Sequence, residues 1–258
     1  MKPYYEEAGI VIYHGDCREV LPTLPKVDLV LTDPPYELTA TGGGIGARRK
    51  YLADISGHID AGFDIELLRS FPNWMCFCSK EQLPKLILAA MEWRLRWALI
   101  TWNKPNPTPL VNANYLPDTE YIIHGFQSSK NLYGGYEQRS RFIVHPVEQN
   151  KFAHPTVKPL PVICRLVRTG SDEGQTILDP FMGSGTTLVA AKQLGRRAIG
   201  IEIEERYVKI AIERLRQAVL PFEHVETKQA EQCSFLEEMG REESPPEDSH
   251  LRPVRRGL

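Results

Sequence analysis

Asp33-Pro34-Pro35-Tyr36 is where the sequence concentrates chemistry. It follows an apolar run at 27–31 that only Asp28 interrupts. A strand that stops on Asp-Pro-Pro carries a carboxylate at its carboxyl end. The prolines fix φ, remove two backbone donors and push Asp33 into extended geometry. The carbonyls of Asp33 and Pro34 then have no helical ladder to join and can face a ligand. Tyr36 adds a flat aromatic surface. A carboxylate, a carbonyl and a ring within four residues suit holding a planar base by its exocyclic amine. The same residues would also make an ordinary strand-ending turn, so the chemistry needs a second site to stand on.

That second site is at 176–187. An apolar strand at 176–179 ends on Asp179. The loop Pro180-Phe181-Met182-Gly183-Ser184-Gly185-Thr186-Thr187 follows and opens a helix at 186–194. Glycines at 183 and 185 let a backbone approach a ligand closely. Glu202 ends the next strand 23 residues beyond Asp179, the usual distance for an acid that binds ribose hydroxyls. A dinucleotide fingerprint would want glycine where Leu188 stands, and a phosphate loop would want lysine where Thr186 stands. Both phosphate readings weaken. A nucleoside ligand with an amino-acid end remains, and S-adenosyl-L-methionine fits it.

The elements that must position these residues alternate. Strands are expected at 10–13, 27–32, 73–78, 97–102, 120–124, 176–179 and 197–202. Helical spacing covers 17–24, 65–71, 81–92, 160–169, 186–194 and 205–220. This is an α/β chain with parallel crossovers. Residues 37–62 read as a mobile basic loop, with Arg48, Arg49, Lys50 and Tyr51 available to a polyanion. Residues 103–150 read as a variable, substrate-facing insert, with Lys104, Arg139 and Arg141 as nucleic-acid contacts. Residues 223–258 are polar and acidic and read as a mostly disordered tail. One folded domain is expected over 1–222.

Composition sets limits. The chain has 258 residues and a net charge of −2, which does not advertise a nucleic-acid binder. The charge is uneven: 37–168 carries +5, and 223–258 carries −4. A basic middle permits phosphate contact. No apolar run is long enough to span a membrane, and 1–9 does not read as a signal peptide. Five cysteines and seven histidines show no metal-ligand spacing. A reduced, cytoplasmic protein is expected.

Asp33-Pro34-Pro35-Tyr36 first and Phe181-Met182-Gly183-Ser184-Gly185 last resemble the beta-class DNA amino-methyltransferases, the N6-adenine and N4-cytosine enzymes. Further matching stretches are Gly15-Asp16-Cys17, Trp102-Asn103-Lys104-Pro105, His154-Pro155-Thr156-Val157-Lys158-Pro159 and Gly200-Ile201-Glu202. The likeness covers about 9–220. It implies a Rossmann-like, S-adenosylmethionine-dependent methyltransferase sheet, circularly permuted so that the catalytic half precedes the cofactor half. It implies that Asp16, Asp179, Phe181, Gly183, Gly185 and Glu202 line the cofactor pocket. Cys17, Asp33, His154, Thr156, Lys158, Pro180, Ser184, Thr186, Thr187 and Ile203 are expected around it. Asp33, Pro34, Pro35 and Tyr36 are the expected catalytic residues, acting on a base flipped from double-stranded DNA.

Aspartate at the first motif position is the usual adenine pattern, so N6 of adenine is the expected acceptor. N4 of cytosine is the alternative, and an inactive cofactor- and DNA-binding module is the reading from another class. A restriction-modification setting and a homodimer fit the resemblance.

Overall fold

A computed structural model describes residues 1–37, 62–107, 115–147 and 157–217. Among these residues nine strands form one mixed sheet: β1 (Tyr5–Glu7), β2 (Ile10–His14), β3 (Leu29–Thr32), β4 (Asn73–Cys78), β5 (Arg96–Asn103), β6 (Thr119–Phe126), β7 (Phe142–Val144), β8 (Thr176–Asp179) and β9 (Arg197–Glu202). The described α-helices are α1 (Cys17–Val20), α2 (Leu83–Glu92), α3 (Leu160–Gly170), α4 (Thr186–Gln193) and α5 (Glu205–Arg216). The spatial order is β1-β2-β9-β8-β3-β4-β6-β5-β7. Strands β2, β9, β8, β3 and β4 run parallel, and β6 runs against β4 and β5.

Alternation along the central strands divides the core in two. Leu29, Leu31, Met75 and Phe77 pack with Val162, Leu166, Leu188, Val208 and Ala211 from α3, α4 and α5. Val30, Trp74, Cys76 and Cys78 point to the other face and meet Val20 of α1 and Leu86 and Ala90 of α2. Helices therefore cover both faces. That is why β4 is buried at every position, Asn73 included, rather than alternating.

Two strands and two boundaries differ from the sequence expectation. β1 is a polar, mostly exposed edge strand, and β7 is a three-residue edge strand. Neither carries a buried face long enough to leave a period. The expected helix at 17–24 is α1 followed by a 3-10 turn, Leu21–Thr23, where Pro22 changes the backbone. The expected helix at 65–71 is a single 3-10 turn, Ile65–Leu68.

The sheet also places the insert. β6 ends beside the start of β4, with Phe126 opposite Asn73. Residues 127–140 then pack at the amino ends of the parallel strands: Gln127 N–H donates to the Pro72 carbonyl, and Tyr133 N–H donates to the Thr169 carbonyl. Asp33 and Asp179 follow the carboxyl ends. Of the described residues of the expected insert, 103–107, 115–121 and 145–147 lie at that end, joined by Lys104 N–H to the Asp118 carbonyl, by His145 N–H to the Asn103 carbonyl and by Asn106 to Val147.

Candidate active site

β8 sends its chain through α4 to β9 on one side. Its neighbour β3 leads to β4 on the other. Ligands of open α/β sheets sit outside the carboxyl ends of such a divergent pair. Asp179 and Asp33 follow those two ends. Thr32 Oγ1 donates to Asp179 Oδ1 at 2.8 Å and ties the two strand ends together. The two residue groups found in the sequence, 146 positions apart, thus share one crevice.

On the acceptor side, Asp33 belongs to a chain of alternating charges from four elements. Lys158 Nζ, from the connector before α3, reaches Asp33 Oδ2 at 2.5 Å. The same ammonium lies 3.3 Å from Glu120 Oε2 of β6. Glu120 Oε1 in turn meets Lys104 Nζ at 2.6 Å, beyond the end of β5. All four side chains are at most a quarter exposed. Burial raises the Asp33 carboxyl above its ordinary value; Lys158 opposes the rise and Glu120 adds to it. Burial works to neutralise Lys158, but Asp33 and Glu120 outweigh it and hold its pKa up to about 12. Glu120, although buried, lies below the usual glutamate value because Lys158 and Lys104 flank it.

The chain leaves two oxygens without a hydrogen bond, and of these Glu120 Oε2 has the Lys158 ion contact. Asp33 Oδ1 is buried with no formed hydrogen bond, and so is the Tyr36 hydroxyl. The hydroxyl is near enough to lower the Asp33 pKa, but the pair falls short of hydrogen-bond geometry. Pro34 is buried, and its carbonyl has no partner among the described residues. Lys158 Nζ lies 5.4 Å from the Tyr36 ring centre and 5.0 Å from that of Phe77. The turn thus presents an unpaired carboxylate oxygen, an unpaired carbonyl and a ring.

On the donor side the sequence expectations divide by direction. Phe181 and Gly183 are half-exposed, whereas Pro180, Ser184, Gly185, Thr186 and Thr187 are buried. Ser184 and Thr186 face α5: Arg214 donates to the Ser184 carbonyl at 2.7 Å, to Ser184 Oγ at 2.9 Å and to Thr186 Oγ1 at 3.0 Å. Gly185 begins α4 at φ +79°, and a Cβ there would lie 2.7 Å from that of Ala211. Its glycine serves helix packing. Gly183, at φ +50°, is in the left-handed region. Its N–H donates to Glu202 Oε2 at 2.9 Å, and Glu204 N–H donates to Oε1 at 2.9 Å. Each carboxylate oxygen keeps a lone pair for a hydroxyl.

Burial holds Glu202 above its usual value against those two donors. It pushes Asp179 up to about 7, against hydrogen bonds from Thr187, Thr32 and the Phe181 N–H. Ile203, half-exposed, follows Glu202. Asp16 follows β2 and caps α1 by accepting from Arg18 N–H at 2.9 Å. Cys17 packs in the core beneath it, and burial lifts its thiol to about 11. An acid for a diol, an exposed aliphatic side chain and an aromatic ring beside a half-exposed glycine fit a nucleoside.

The expected DNA contacts fare differently. Lys104 points inward to Glu120 and lies 4.9 Å from the Trp102 ring, so it is not a free phosphate contact. Arg139 donates to the carbonyls of Leu132, Tyr133 and Gly134, at the end of the sheet away from Asp33. Its guanidinium holds its own loop together. Arg141 is exposed at the sheet's edge. Arg48, Arg49, Lys50, Tyr51, His154 and Thr156 lie outside the described residues. Glu120, Thr32 and Arg214 went unnoticed in the sequence because each stands inside an ordinary strand or helix pattern. Only the adjacency of Thr32 to Asp33 hinted at one of them.

With the Asp33 turn and the glycine loop at its divergent strand ends, this sheet is that of an S-adenosylmethionine-dependent DNA methyltransferase. The profile of the N6/N4 DNA methylase family matches residues 27–213, and the chain belongs to that family. The type II methyltransferase M2.DpnII of Streptococcus pneumoniae is 31% identical over 249 residues, covering 83% of this chain and 92% of that protein. The type II methyltransferase M.HinfI of Haemophilus influenzae is 27% identical, covering 80% of this chain and 68% of that one. The crystal structure of the M1.HpyAVI–SAM complex superposes with a TM-score of 0.61 at 27% identity, over 80% of this chain and all of that one. The cytosine-N4-specific PvuII DNA methyltransferase shares the fold, with a TM-score of 0.63 at 16% identity, over 85% and 91% of the two chains. Among the described residues, no helix is long and apolar enough to cross a membrane.

Proposed function

We propose that the chain methylates the exocyclic N6 of adenine in double-stranded DNA. The observation that carries this reading is the pairing of Asp33: Lys158 holds Oδ2, and Oδ1 is buried and unpaired. Oδ1 and the Pro34 carbonyl accept the two N–H bonds of the amine. An exocyclic amine is a poor nucleophile because its lone pair is delocalised into the ring. Two acceptors favour a pyramidal nitrogen and offset the positive charge that develops on it. Lys158 favours the ionised form of Asp33, against the rise that burial imposes.

Tyr36 stacks on the flipped base. S-adenosylmethionine supplies the methyl group on a sulfonium. Asp16, Asp179, Phe181, Gly183 and Glu202 hold it, Gly185 and Thr187 shape the loop, and Ile203 borders the adenine. Fixing donor and acceptor in line supplies much of the rate.

Domain 1–222, a circularly permuted chain, a homodimer and a cytoplasmic, nucleoid-associated protein complete the reading. The order of the halves supports the permutation: the Asp33 turn comes first and the glycine loop last. The type II names of the relatives support a place in restriction-modification. The test is transfer from labelled S-adenosylmethionine to unmethylated DNA, followed by nucleoside mass spectrometry. N6-methyl-2′-deoxyadenosine is expected. N4-methylcytosine would reassign the base, and cofactor binding without transfer would make the chain a binding module.

A further inference from the structure

Two of the four residues of the acceptor turn, Pro34 and Pro35, carry no N–H. The carbonyls of the turn must be met from elsewhere or by substrate. One is met: Gln82 Nε2 donates to the Pro35 carbonyl at 3.0 Å. Gln82 belongs to no motif. It sits in the turn between β4 and α2 and is only 2% exposed. Its other amide atom is engaged as well, since Oε1 accepts from Ser79 N–H at 3.1 Å. With an N–H on one side and a carbonyl on the other, the orientation of the amide is determined.

Two further ties join the same segments. Ser79 Oγ donates to the Glu37 carbonyl at 3.3 Å, and Lys85 pairs with the Glu37 carboxylate. Glu37 and Lys85 are partly exposed. Gln82 is the buried tie, and the only one of the three that reaches inside the Asp33–Tyr36 turn.

We propose that Gln82 is a positioning residue for methyl transfer. By holding the Pro35 carbonyl, it leaves Asp33 Oδ1 and the Pro34 carbonyl as the pair that meets the amine. It also fixes the direction of the Tyr36 ring. The proline ring locks φ at Pro35, so ψ is the free rotation there. Turning ψ moves the Pro35 carbonyl and the Pro35–Tyr36 peptide together, and one hydrogen bond to that carbonyl restrains both. The inference rests on the acceptor reading above.

Two variants separate this role from simple support of the 79–82 turn. Gln82→Glu keeps an acceptor for Ser79 N–H and, ionised at about pH 8, has no donor for Pro35. Gln82→Met loses both bonds. Single-turnover transfer from labelled S-adenosylmethionine to unmethylated DNA is measured beside calorimetric cofactor affinity and thermal unfolding. Both variants are expected to slow the single-turnover rate by about 10- to 100-fold, the range for losing alignment of reacting groups. Cofactor affinity should stay within about twofold of wild type, since the Gln82 side chain bonds only to Pro35 and Ser79 and to no residue assigned to the cofactor pocket. A Gln82→Glu rate near wild type, with only Gln82→Met impaired, would overturn the proposal and leave Gln82 a turn residue. Parallel loss of rate and cofactor affinity would overturn it too. If a buried glutamate prevents folding, Gln82→Met with intact unfolding and unaltered rate does the same. Wild-type protein that transfers no methyl group would instead bring down the acceptor reading itself.

Discussion

In the loop after β8, the polar side chains are already bonded to protein. Asp179 is met by Thr32 and by the Phe181 N–H, Ser184 and Thr186 by Arg214, and Glu202 by two backbone N–H groups. In the turn after β3, Asp33 Oδ1 and the Tyr36 hydroxyl are buried with no formed bond. A buried polar atom without a partner costs about 1–3 kcal/mol. The β8 loop is therefore preformed, and on the proposed reading the β3 turn is completed by what enters it. Cofactor affinity and methyl transfer should then fail separately when each half is damaged.

The largest separation comes from Asp33→Ala. It removes the charge opposite the developing cation and leaves the β8 loop untouched. Turnover should fall by about 10³-fold or more, the scale on which preorganised groups at a transition state act. Calorimetric affinity for S-adenosylmethionine should survive. A variant with near-normal turnover would sink the assignment of the clamp.

Arg214→Met attacks the preformed half from behind. Arg214 is 8% exposed and donates three bonds to the loop, and burial lowers its guanidinium to about 10. Its removal leaves the Ser184 carbonyl and two hydroxyls without their shared donor. About 3 kcal/mol of stability should be lost, since bonds to a charged donor contribute about 1.5–3 kcal/mol and orphaned acceptors add to the loss. Chemical denaturation would measure it, and cofactor affinity should fall with it. Unaltered affinity would mean that the loop holds its shape without α5.

Asp179→Asn tests the preformed half in the opposite direction. The folded protein holds the Asp179 proton up to about 7, against an ordinary 3.8. The native state thus binds this proton more tightly than the unfolded chain does. Stability falls as pH rises from about 4 to about 7, and the whole penalty stands above that. At about 1.4 kcal/mol per unit the penalty has an upper bound near 4 kcal/mol, and relaxation brings the expected effect to about 2. Asparagine keeps an oxygen for Thr32 and Phe181 and cannot ionise. The variant should be the more stable protein at about pH 8, and the gap should close by about pH 4. A gap independent of pH would place the titrating group elsewhere.

The two halves also differed in how far sequence revealed them. The β8 loop could be read residue by residue, because strand, glycine turn and helix are consecutive and each step has a local signature. Even there the direction of Ser184 and Thr186 depended on Arg214, 28 residues beyond Thr186 on another helix. The acceptor motif announced itself through two prolines. What surrounds it comes from β6, from the end of β5 and from the connector before α3. Glu120 looked like one residue of a strand, Gln82 like one of a helix start, and Lys104 like a surface cation. Long-range ion pairs and a buried amide leave no spacing to find. The fold followed from the same asymmetry: buried strands and amphipathic helices were legible, and the edge strands β1 and β7 were not.

The smallest effect tests the acceptor half against itself. Lys158 stands between Asp33 and Glu120, so the two neighbours of Asp33 act on it with opposite signs. Transfer needs Asp33 ionised, and its raised pKa sets the acid limb of the rate. Lys158→Met removes the charge that lowers that pKa, so the limb should move to higher pH. Glu120→Gln removes a charge that raises it, so the limb should move to lower pH. The plateau rate should nevertheless fall by about tenfold in Glu120→Gln. Lys158, released from Glu120, can close on both Asp33 oxygens and compete with the amine for Oδ1, which is worth about 1.4 kcal/mol at the barrier. Initial rates across pH at saturating cofactor would show both movements. Limbs that shift in the same direction would mean that the ion chain supports the fold without tuning Asp33.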